Sequence, residues 1–600
     1  MKDLHFYKTI DNGKVDREKS KKLTGYPSID KPWLKYYEDG IGTPTVNRTV
    51  YEELFENNVN FPKDLALEYF MAKINYQKLF KNIDLLAKSL KEYGVKKGDF
   101  VTICTPGMPE FVYMFYAISK IGAVANMINP FFGTEKAVID RINICNSDVL
   151  IIMDKFYEKM KDTFKKTNLK NIVIIPMFNS SIMRFFNKKC KLQKNSNELF
   201  YSQFIKDGKY QKDVTTVSYE PNMPVAMMCT SATTSKDPKA VLLSNDSIQN
   251  SIRAYPELGV NLSRQQKFYQ TIPIWCSTGL ITCMHLPLSY GTTVFMDPRC
   301  EREVFVKNIV KHRPNYVVGT TSMYEGFLEP KLVKNSDLSH LKYPFEGGEP
   351  LNPDVASQIN KVFKDHNCTS KIGSAYGQCE CGAAVTSQTF NFENGSVGIP
   401  IPGVVINTFD ENNNPLKYNE KGNIYVDTPC KMLEYYGDER QTKNYFYLAD
   451  DRVWCKTGDV GYINEKGELF ILGRDADSSL IDGKKVYNFE VENIIMTLPE
   501  IKMCDVLEKS IYNENALAVH LIFKDDFDNY VLLDELKKIQ KVIYEKTQDL
   551  SMVPYVFKIR KNFPLTKGSK RDIFGMKQET EGFIYLDKYT PPKIKKLGVI

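Results

Sequence analysis

The hydrophobic period of this chain switches twice between Tyr76 and Ala123, and that switch limits the fold more than any other feature of the sequence. Over Tyr76–Tyr93 (YQKLFKNIDLLAKSLKEY) apolar residues recur at helical spacing. A glycine-bearing turn, VKKGD, leads into FVTICT, a short apolar run suited to a buried strand, and then into PEFVYMFYAISKIGA, which is again helical. A strand covered on both faces by helices belongs to a layered α/β structure, and such sheets run largely parallel. Val149–Met153, Ile172–Ile175, Pro224–Cys229, Tyr316–Val318 and Lys371–Ile372 repeat the strand signature between helical stretches and short polar turns. The expected fold class is α/β, with a large N-terminal domain built on parallel-type sheets.

At 600 residues the chain exceeds what one hydrophobic core usually supports. Near Ile399–Val426 the texture changes to short strands and turns (IPGVVINTFDENNNPL, KGNIYVD), which predicts a small β-rich subdomain. A further boundary is expected at Gly473–Asp477 (GRDAD), beyond which a lysine-rich segment has its own helix–strand alternation. The expected domains are 1–473 and 474–600, the second small and α+β. Asn179–Pro221 is long, polar and poorly periodic, and reads as an irregular surface insertion.

Composition excludes several classes of function. Eighty basic residues against 73 acidic ones leave a net charge of +7 without a polybasic tail, so nucleic acid is not an expected partner. His5, His285, His312, His340, His366 and His520 lie far apart and show no metal-ligand spacing. The 13 cysteines are scattered, Cys379 and Cys381 forming the one close pair, which reads as free thiols in a reducing compartment. The N-terminal stretch is polar, and the longest apolar candidate, Gly279–Tyr290, is too short for a membrane helix of roughly 20 residues. No transmembrane segment and a cytoplasmic location are expected.

Chemistry concentrates first in Val225–Asn245, VAMMCTSATTSKDPKAVLLSN. A buried strand ends in small hydroxylated residues, followed by Pro-Lys and a second strand. Such a loop can turn backbone N–H groups and Ser/Thr hydroxyls toward phosphate oxygens, with Lys239 adding positive charge. The loop resembles the phosphate-binding signature of the adenylate-forming superfamily, which includes acyl-CoA synthetases, luciferases and the adenylation domains of peptide synthetases. Thr230, Ser231, Thr233, Thr234, Pro238 and Lys239 match that signature. Ala232, Ser235 and Ala240 stand where it has glycine, and one extra residue precedes the proline.

Further stretches follow in the order of that superfamily. FEGGEPL at Phe345–Leu351 resembles its Gly-Glu-Pro turn against adenine, which implies nucleotide contacts for Gly348, Glu349 and Pro350. SAYGQCE at Ser374–Glu380 resembles its Tyr-Gly-x-Thr-Glu motif, with Cys379 in place of threonine. The resemblance implies that Tyr376 stacks on adenine beside Gly377, Gln378 and Cys379, and that Glu380 holds magnesium. KTGDVG at Lys456–Gly461 resembles the motif whose aspartate, here Asp459, accepts from the ribose hydroxyls, and Arg474 matches an arginine at the same sugar. FPLTKGSKR at Phe563–Arg571 resembles the motif that carries the catalytic lysine, here Lys570.

The resemblance implies two half-reactions. A carboxylate attacks the α-phosphorus of ATP with help from Thr230, Glu380 and Lys570. A mobile C-terminal domain then swings about Gly473–Asp477, so that a thiol can attack the acyl-AMP. At the pivot, Ala476 stands where relatives have Asp or Lys. IPIWCSTG at Ile272–Gly279 lies where relatives form the acyl pocket, with Cys276 in place of histidine, and Trp275, Cys276, Gly279 and Gly373 are candidate walls. From Tyr269 to Thr293 there is no Asp or Glu to pair a substrate ammonium group, which favours an acyl or aryl acid. The implied small molecules are a carboxylic acid, ATP, Mg and CoA. Two alternatives stay open here: an enzyme loading the phosphopantetheine arm of an acyl or peptidyl carrier protein, and a non-catalytic nucleotide-binding relative.

Overall fold

A computed structural model describes residues 23–37, 47–130, 135–183, 187, 197–230, 239–299, 301–349, 351–388, 393, 395–511, 514–525, 528–564 and 572–591. The chain divides into two compact units, one of residues 1–457 and 462–470 and one of residues 458–461 and 471–600.

Two large, mainly parallel sheets lie in the larger unit. In the eight-stranded one the spatial order is Glu434–Tyr435, Ala240–Ser244, Pro224–Cys229, Val124–Met127, Phe100–Cys104, Val149–Met153, Asn171–Ile175 and Glu198–Phe200. Pairing is parallel from Pro224–Cys229 to Glu198–Phe200, and antiparallel across Pro224–Cys229, Ala240–Ser244 and Glu434–Tyr435. The seven-stranded sheet runs Gly373–Ala375, Tyr343–Gly347, Tyr316–Gly319, Lys267–Gln270, Thr293–Met296, Leu65–Tyr69 and Ala72–Asn75. It is parallel except at its last pair.

The expected helix over Tyr76–Tyr93 forms at Tyr76–Glu92. The Asn75 side chain caps it by accepting from the Lys78 N–H at 2.9 Å, and Gly94, at φ +83°, turns the chain out of it. Leu79, Ile83, Leu86 and Leu90 are wholly buried along one stripe. Truncating Leu86 to Ala there costs about 2–5 kcal/mol, the range for emptying a packed leucine site. Pro109–Lys120, entered through a proline in its first turn, is buried along its whole length, which is why its sequence lacks a polar face.

Two expectations fail. Lys371–Ile372 is not a strand; the strand begins at Gly373, where the chain meets Tyr343–Gly347 in register. Asn179–Pro221 is not wholly irregular. Glu198–Phe200 extends the parallel sheet, and Tyr201–Gly208 packs back with Phe204 buried and Gly208 against Ser89. These elements are short and lie in a polar stretch, so periodicity could not mark them. At the start of the segment the Asn179 amide donates to the buried Glu110 carboxylate at 2.7 Å.

Val405–Phe409, Gly422–Asp427, Arg452–Ile463 and Phe446–Ala449 form the β-rich region foreseen near Ile399–Val426. The smaller unit contains the sheet Ile501–Ile511, Glu514–Phe523, Val556–Ile559 and Ile584–Tyr585, with a core that includes Val506, Val519, Leu536 and Phe557. Among the described residues, no helix is long and apolar enough to cross a membrane.

Candidate active site

The hydroxyl-rich loop is closed at its base by its two described ends. Cys229 pairs with Ala240 across the antiparallel strands, and the Thr230 N–H then donates to the Lys239 carbonyl at 3.1 Å. The Lys239 N–H donates back to Thr230 Oγ1 at 3.1 Å. Ser231, Thr233, Thr234 and Pro238 lie outside the described residues, as do Pro350 and Lys570.

Strand pairing brings the loop base to the acidic motif. Tyr435 lies opposite Val241, so the Lys239 ammonium sits 4.7 Å from the centre of the Tyr435 ring. The Tyr435 hydroxyl donates to Glu380 Oε1 at 2.8 Å. Glu380 is 7% exposed and occupies a short turn, Cys379–Cys381, that Gly382 ends at φ +74°. The Met432 N–H donates to the Glu380 carbonyl at 2.8 Å and ties the two segments together. Burial, then the Glu380 carboxylate, raises the Tyr435 phenol well above its usual range, so it stays a neutral donor. A buried carboxylate with one oxygen engaged and a cation beyond its partner suits a hard cation that takes its remaining ligands from phosphate and water. Among the described residues there is no cluster of three His, Cys, Asp or Glu side chains able to hold a metal by itself.

The residues expected at the adenine are held by backbone geometry. A Cβ on Gly377 would lie 1.7 Å from the Ala383 carbonyl oxygen, so the strand pair Gly377–Gln378 with Ala383–Ala384 requires glycine there. The half-buried Tyr376 is fixed through its carbonyl, which accepts from Val385 and Thr386 at 2.8 and 3.1 Å. Gly348 is exposed at φ +93°, and Glu349 Oε2 accepts from the Ser322 N–H at 3.1 Å.

Sequence reasoning passed over two residues of this region. Tyr435 had no motif to flag it. Glu346 lies in the quoted FEGGEPL stretch, where the alternation of Tyr343–Gly347 turns it inward with Pro344. It is 1% exposed, accepting from Ser374 Oγ at 3.1 Å and from the Glu349 N–H at 3.2 Å. Burial is the main reason its carboxyl is pushed up to about 8.

The expected acyl-pocket residues adjoin the acidic motif through thiols. The Cys276 thiol donates to the Pro273 carbonyl at 3.0 Å, and Ser277 Oγ donates to Cys379 Sγ at 3.3 Å. Burial, followed by the Glu380 charge and the Cys276 thiol, pushes Cys379 up to about 12, so it remains a thiol. Gly279 enters the wide-turned helix Thr278–His285, and a Cβ there would lie 2.0 Å from the Pro273 carbonyl oxygen. A Cβ on Gly373 would lie 2.9 Å from the Phe345 ring. Trp275 is half-buried beside Cys276.

In the smaller unit, Arg474 Nε lies 3.2 Å from Asp459 Oδ1. Asp459 is 4% exposed, and the Asp475 N–H donates to the Gly458 carbonyl at 2.9 Å. The two residues matched to the ribose motif are therefore an ion pair.

A family model described as "AMP-binding enzyme" matches residues 54–436. Among curated proteins, a long-chain-fatty-acid–CoA ligase of Bacillus subtilis (strain 168) is 25% identical, covering 90% of this chain and 96% of its own length. A 4-coumarate–CoA ligase of Vanilla planifolia is 24% identical, covering 78% and 83%. Among solved structures, ATP-bound MatB from Rhodopseudomonas palustris superposes with a TM-score of 0.73 at 19% identity, covering 89% of this chain and 98% of that one. The anthranilate CoA ligase AuaEII in complex with anthranoyl-AMP gives 0.72 at 18% identity, with the same coverage. The solved structures establish the shared fold.

Proposed function

The chain belongs to the AMP-binding enzyme family, and from that premise we propose that it is an ATP-dependent ligase that activates a carboxylic acid as acyl-AMP and transfers the acyl group to CoA. The observation that carries this reading is the connection Lys239–Tyr435–Glu380 at the base of the hydroxyl-rich loop. A cation and a fixed carboxylate joined through one tyrosine support the assignment of a triphosphate and its counter-ion to this loop.

In the first step a carboxylate oxygen attacks the α-phosphorus, and the bond to the pyrophosphate oxygen breaks. Thr230 and Lys239 hold the phosphate chain, and Tyr376 carries the adenine. Glu380 would hold Mg, which supplies charge neutralisation for the leaving pyrophosphate. Lys570 is assigned the charge developing between carboxylate and α-phosphate, and Asp459 and Arg474 the ribose. In the second step the CoA sulfur attacks the acyl carbon, AMP leaves, and the thiol proton passes to solvent. Residues 474–600 are assigned the C-terminal AMP-binding domain, which turns between the two steps.

The acid is proposed to be a fatty or other apolar acyl acid. The relatives named for long-chain fatty acids and for 4-coumarate support this. So does the Trp275–Gly279 wall, which offers thiol, hydroxyl and aromatic groups but no carboxylate. A cytoplasmic site of action is proposed from the free thiols, Cys276 and Cys379 among them. Incubation with ATP, Mg and CoA and a panel of fatty, aryl and amino acids tests the reading. Mass spectrometry is expected to find AMP together with an acyl-CoA from the apolar acids. Acyl-AMP that transfers to a holo-carrier protein and never to CoA would replace CoA as the acceptor.

A further inference from the structure

Glu346 is a buried carboxyl that none of the steps above uses, and it joins three strand ends. The strands Tyr343–Gly347 and Gly373–Ala375 pair in parallel as far as Gly347 opposite Ala375, and there they part. One turns through Gly348 and Glu349, the other continues to Tyr376. On its other side Glu346 stands opposite Gly319, the end of Tyr316–Gly319, which runs on into Thr321 and Ser322. Glu346 Oε2 accepts from Ser374 Oγ at 3.1 Å and Oε1 accepts from the Glu349 N–H at 3.2 Å. The Thr321 side chain also hydrogen-bonds to the carboxyl. Glu349 repeats the device outward, its Oε2 accepting from the Ser322 N–H at 3.1 Å. Ser374 is itself fixed: its N–H donates to Gln388 Oε1 at 3.1 Å, and its carbonyl accepts from the Gln388 N–H at 2.9 Å. A continuous hydrogen-bonded line thus crosses from Ser374 through Glu346 and Glu349 to Ser322, over the point where the strands part.

Packing does not call for a carboxyl here. Glu346 is 1% exposed, and burying an acid costs free energy that an apolar side chain of similar size would not incur. What the carboxyl supplies is direction: two oxygens in one plane, held by donors on three segments, fix where the turn leaves the sheet. Burial, with the Glu349 charge, pushes Glu346 up to about 8 against the hydrogen bonds it accepts, so the group is mostly neutral near pH 7. The titratable groups facing it are Glu349 on the same turn and Tyr324 on the helix Thr321–Tyr324. Its neighbours on the adjoining strands, Gly319 and Ser374, carry no charge.

We infer that Glu346 is a positioning residue of the nucleotide site: its carboxyl sets the gap between the Gly347–Glu349 turn and Tyr376, into which the adenine of ATP fits. The inference rests on the ligase reading for the assignment of the turn and Tyr376 to adenine, whereas the hydrogen-bonded line is independent of it. Ionisation puts a second negative charge beside Glu349 and leaves the carboxyl an acceptor alone, so the turn is pushed outward and ATP binding weakens as pH rises.

The test is calorimetric titration with ATP and Mg, which needs no acid, on wild type, Glu346→Gln and Glu346→Ala between about pH 7 and 9.5. Exchange kinetics beside it separate the KM for ATP from turnover. The wild-type Kd for ATP is expected to rise by roughly tenfold over that range, within the limit of about tenfold per pH unit for one proton. Glu346→Gln keeps an acceptor and a donor without a charge. It is expected to stay within about threefold of wild type near pH 7 and to lose the pH dependence. Glu346→Ala leaves the Glu349 N–H and the Ser374 hydroxyl without their acceptor. It should raise both Kd and KM for ATP by roughly tenfold at every pH, with turnover little changed. If the Ala variant does not fold, the Gln comparison carries the test. Coincident pH profiles of wild type and Glu346→Gln overturn the inference. So does an Ala variant that melts lower yet binds ATP with wild-type affinity, which assigns Glu346 to packing. ATP binding that depends on Glu346 as expected, in a protein that exchanges with no acid, leaves the inference standing while the ligase reading falls.

Discussion

The two halves of the candidate site are held by different forces. On the half proposed for the nucleotide, charged and polar groups are fixed by partners: Glu380 by the Tyr435 hydroxyl and Lys239 by the Tyr435 ring. On the acyl half, shape is fixed by crowding: Gly279 against the Pro273 carbonyl, Gly373 against Phe345, and the Cys276 and Ser277 side chains turned onto backbone or sulfur. A half built on partnered charges should lose chemistry when a partner is removed and keep its stability. A half built on close contact should lose stability and acid preference first.

The largest effect is expected at Glu380. Glu380→Ala should lower acid-dependent exchange by on the order of 10²-fold or more, the scale of removing a group that stabilises transferring phosphate. In the same assay Tyr435→Phe should raise the Mg requirement by roughly tenfold, since it deletes the hydroxyl that orients the carboxylate. A Tyr435→Phe enzyme with unchanged Mg dependence breaks the distinction on the nucleotide half.

On the acyl half, Gly279→Ala should destabilise the protein by roughly 2–4 kcal/mol, because its Cβ meets a backbone oxygen that cannot swing aside. Urea unfolding measures this. Retained stability with a shifted acid preference would show that the Pro273 segment yields, and that crowding does not set the pocket.

The sequence made these two halves unequally legible. Motifs of charged residues survive as letters, so Glu380, Asp459, Arg474 and Lys239 could be named from spacing and resemblance. The helix Tyr76–Glu92 and the strands Val149–Met153 and Pro224–Cys229 were likewise readable, because one face or both faces are apolar. Tyr435 could not be named, since it reaches Glu380 through an edge-strand pairing far along the chain. Glu198–Phe200 and Tyr201–Gly208 were hidden by their polar neighbours, and Lys371–Ile372 was placed two residues early because parallel register, unlike period, leaves no local mark.

The smallest effect expected separates a neutral carboxyl from the charged one. Glu346 has a folded pKa pushed up to about 8 from 4.5. Between those values the folded protein keeps a proton that the unfolded chain has released. Its contribution is therefore complete below about pH 4.5 and lost as pH rises through about 8. His285 slopes the other way: burial lowers it to about 3, so its contribution is lost as pH falls below 6.5. The Glu346 share is isolated by comparing wild type with Glu346→Gln in urea at several pH values. The wild type should lose on the order of 1–3 kcal/mol more than the variant between about pH 5 and 8.5. Parallel curves would mean that Glu346 is ionised when folded.

The most direct measurement of the central claim is ATP–pyrophosphate exchange by the purified protein across fatty, aryl and amino acids. Label is expected to enter ATP when, and only when, an apolar acyl or aryl acid is present, and to be lost on chelating Mg. Exchange with none of these acids, in a protein that still binds ATP with Mg, would contradict the account and leave the chain a nucleotide-binding relative without ligase chemistry.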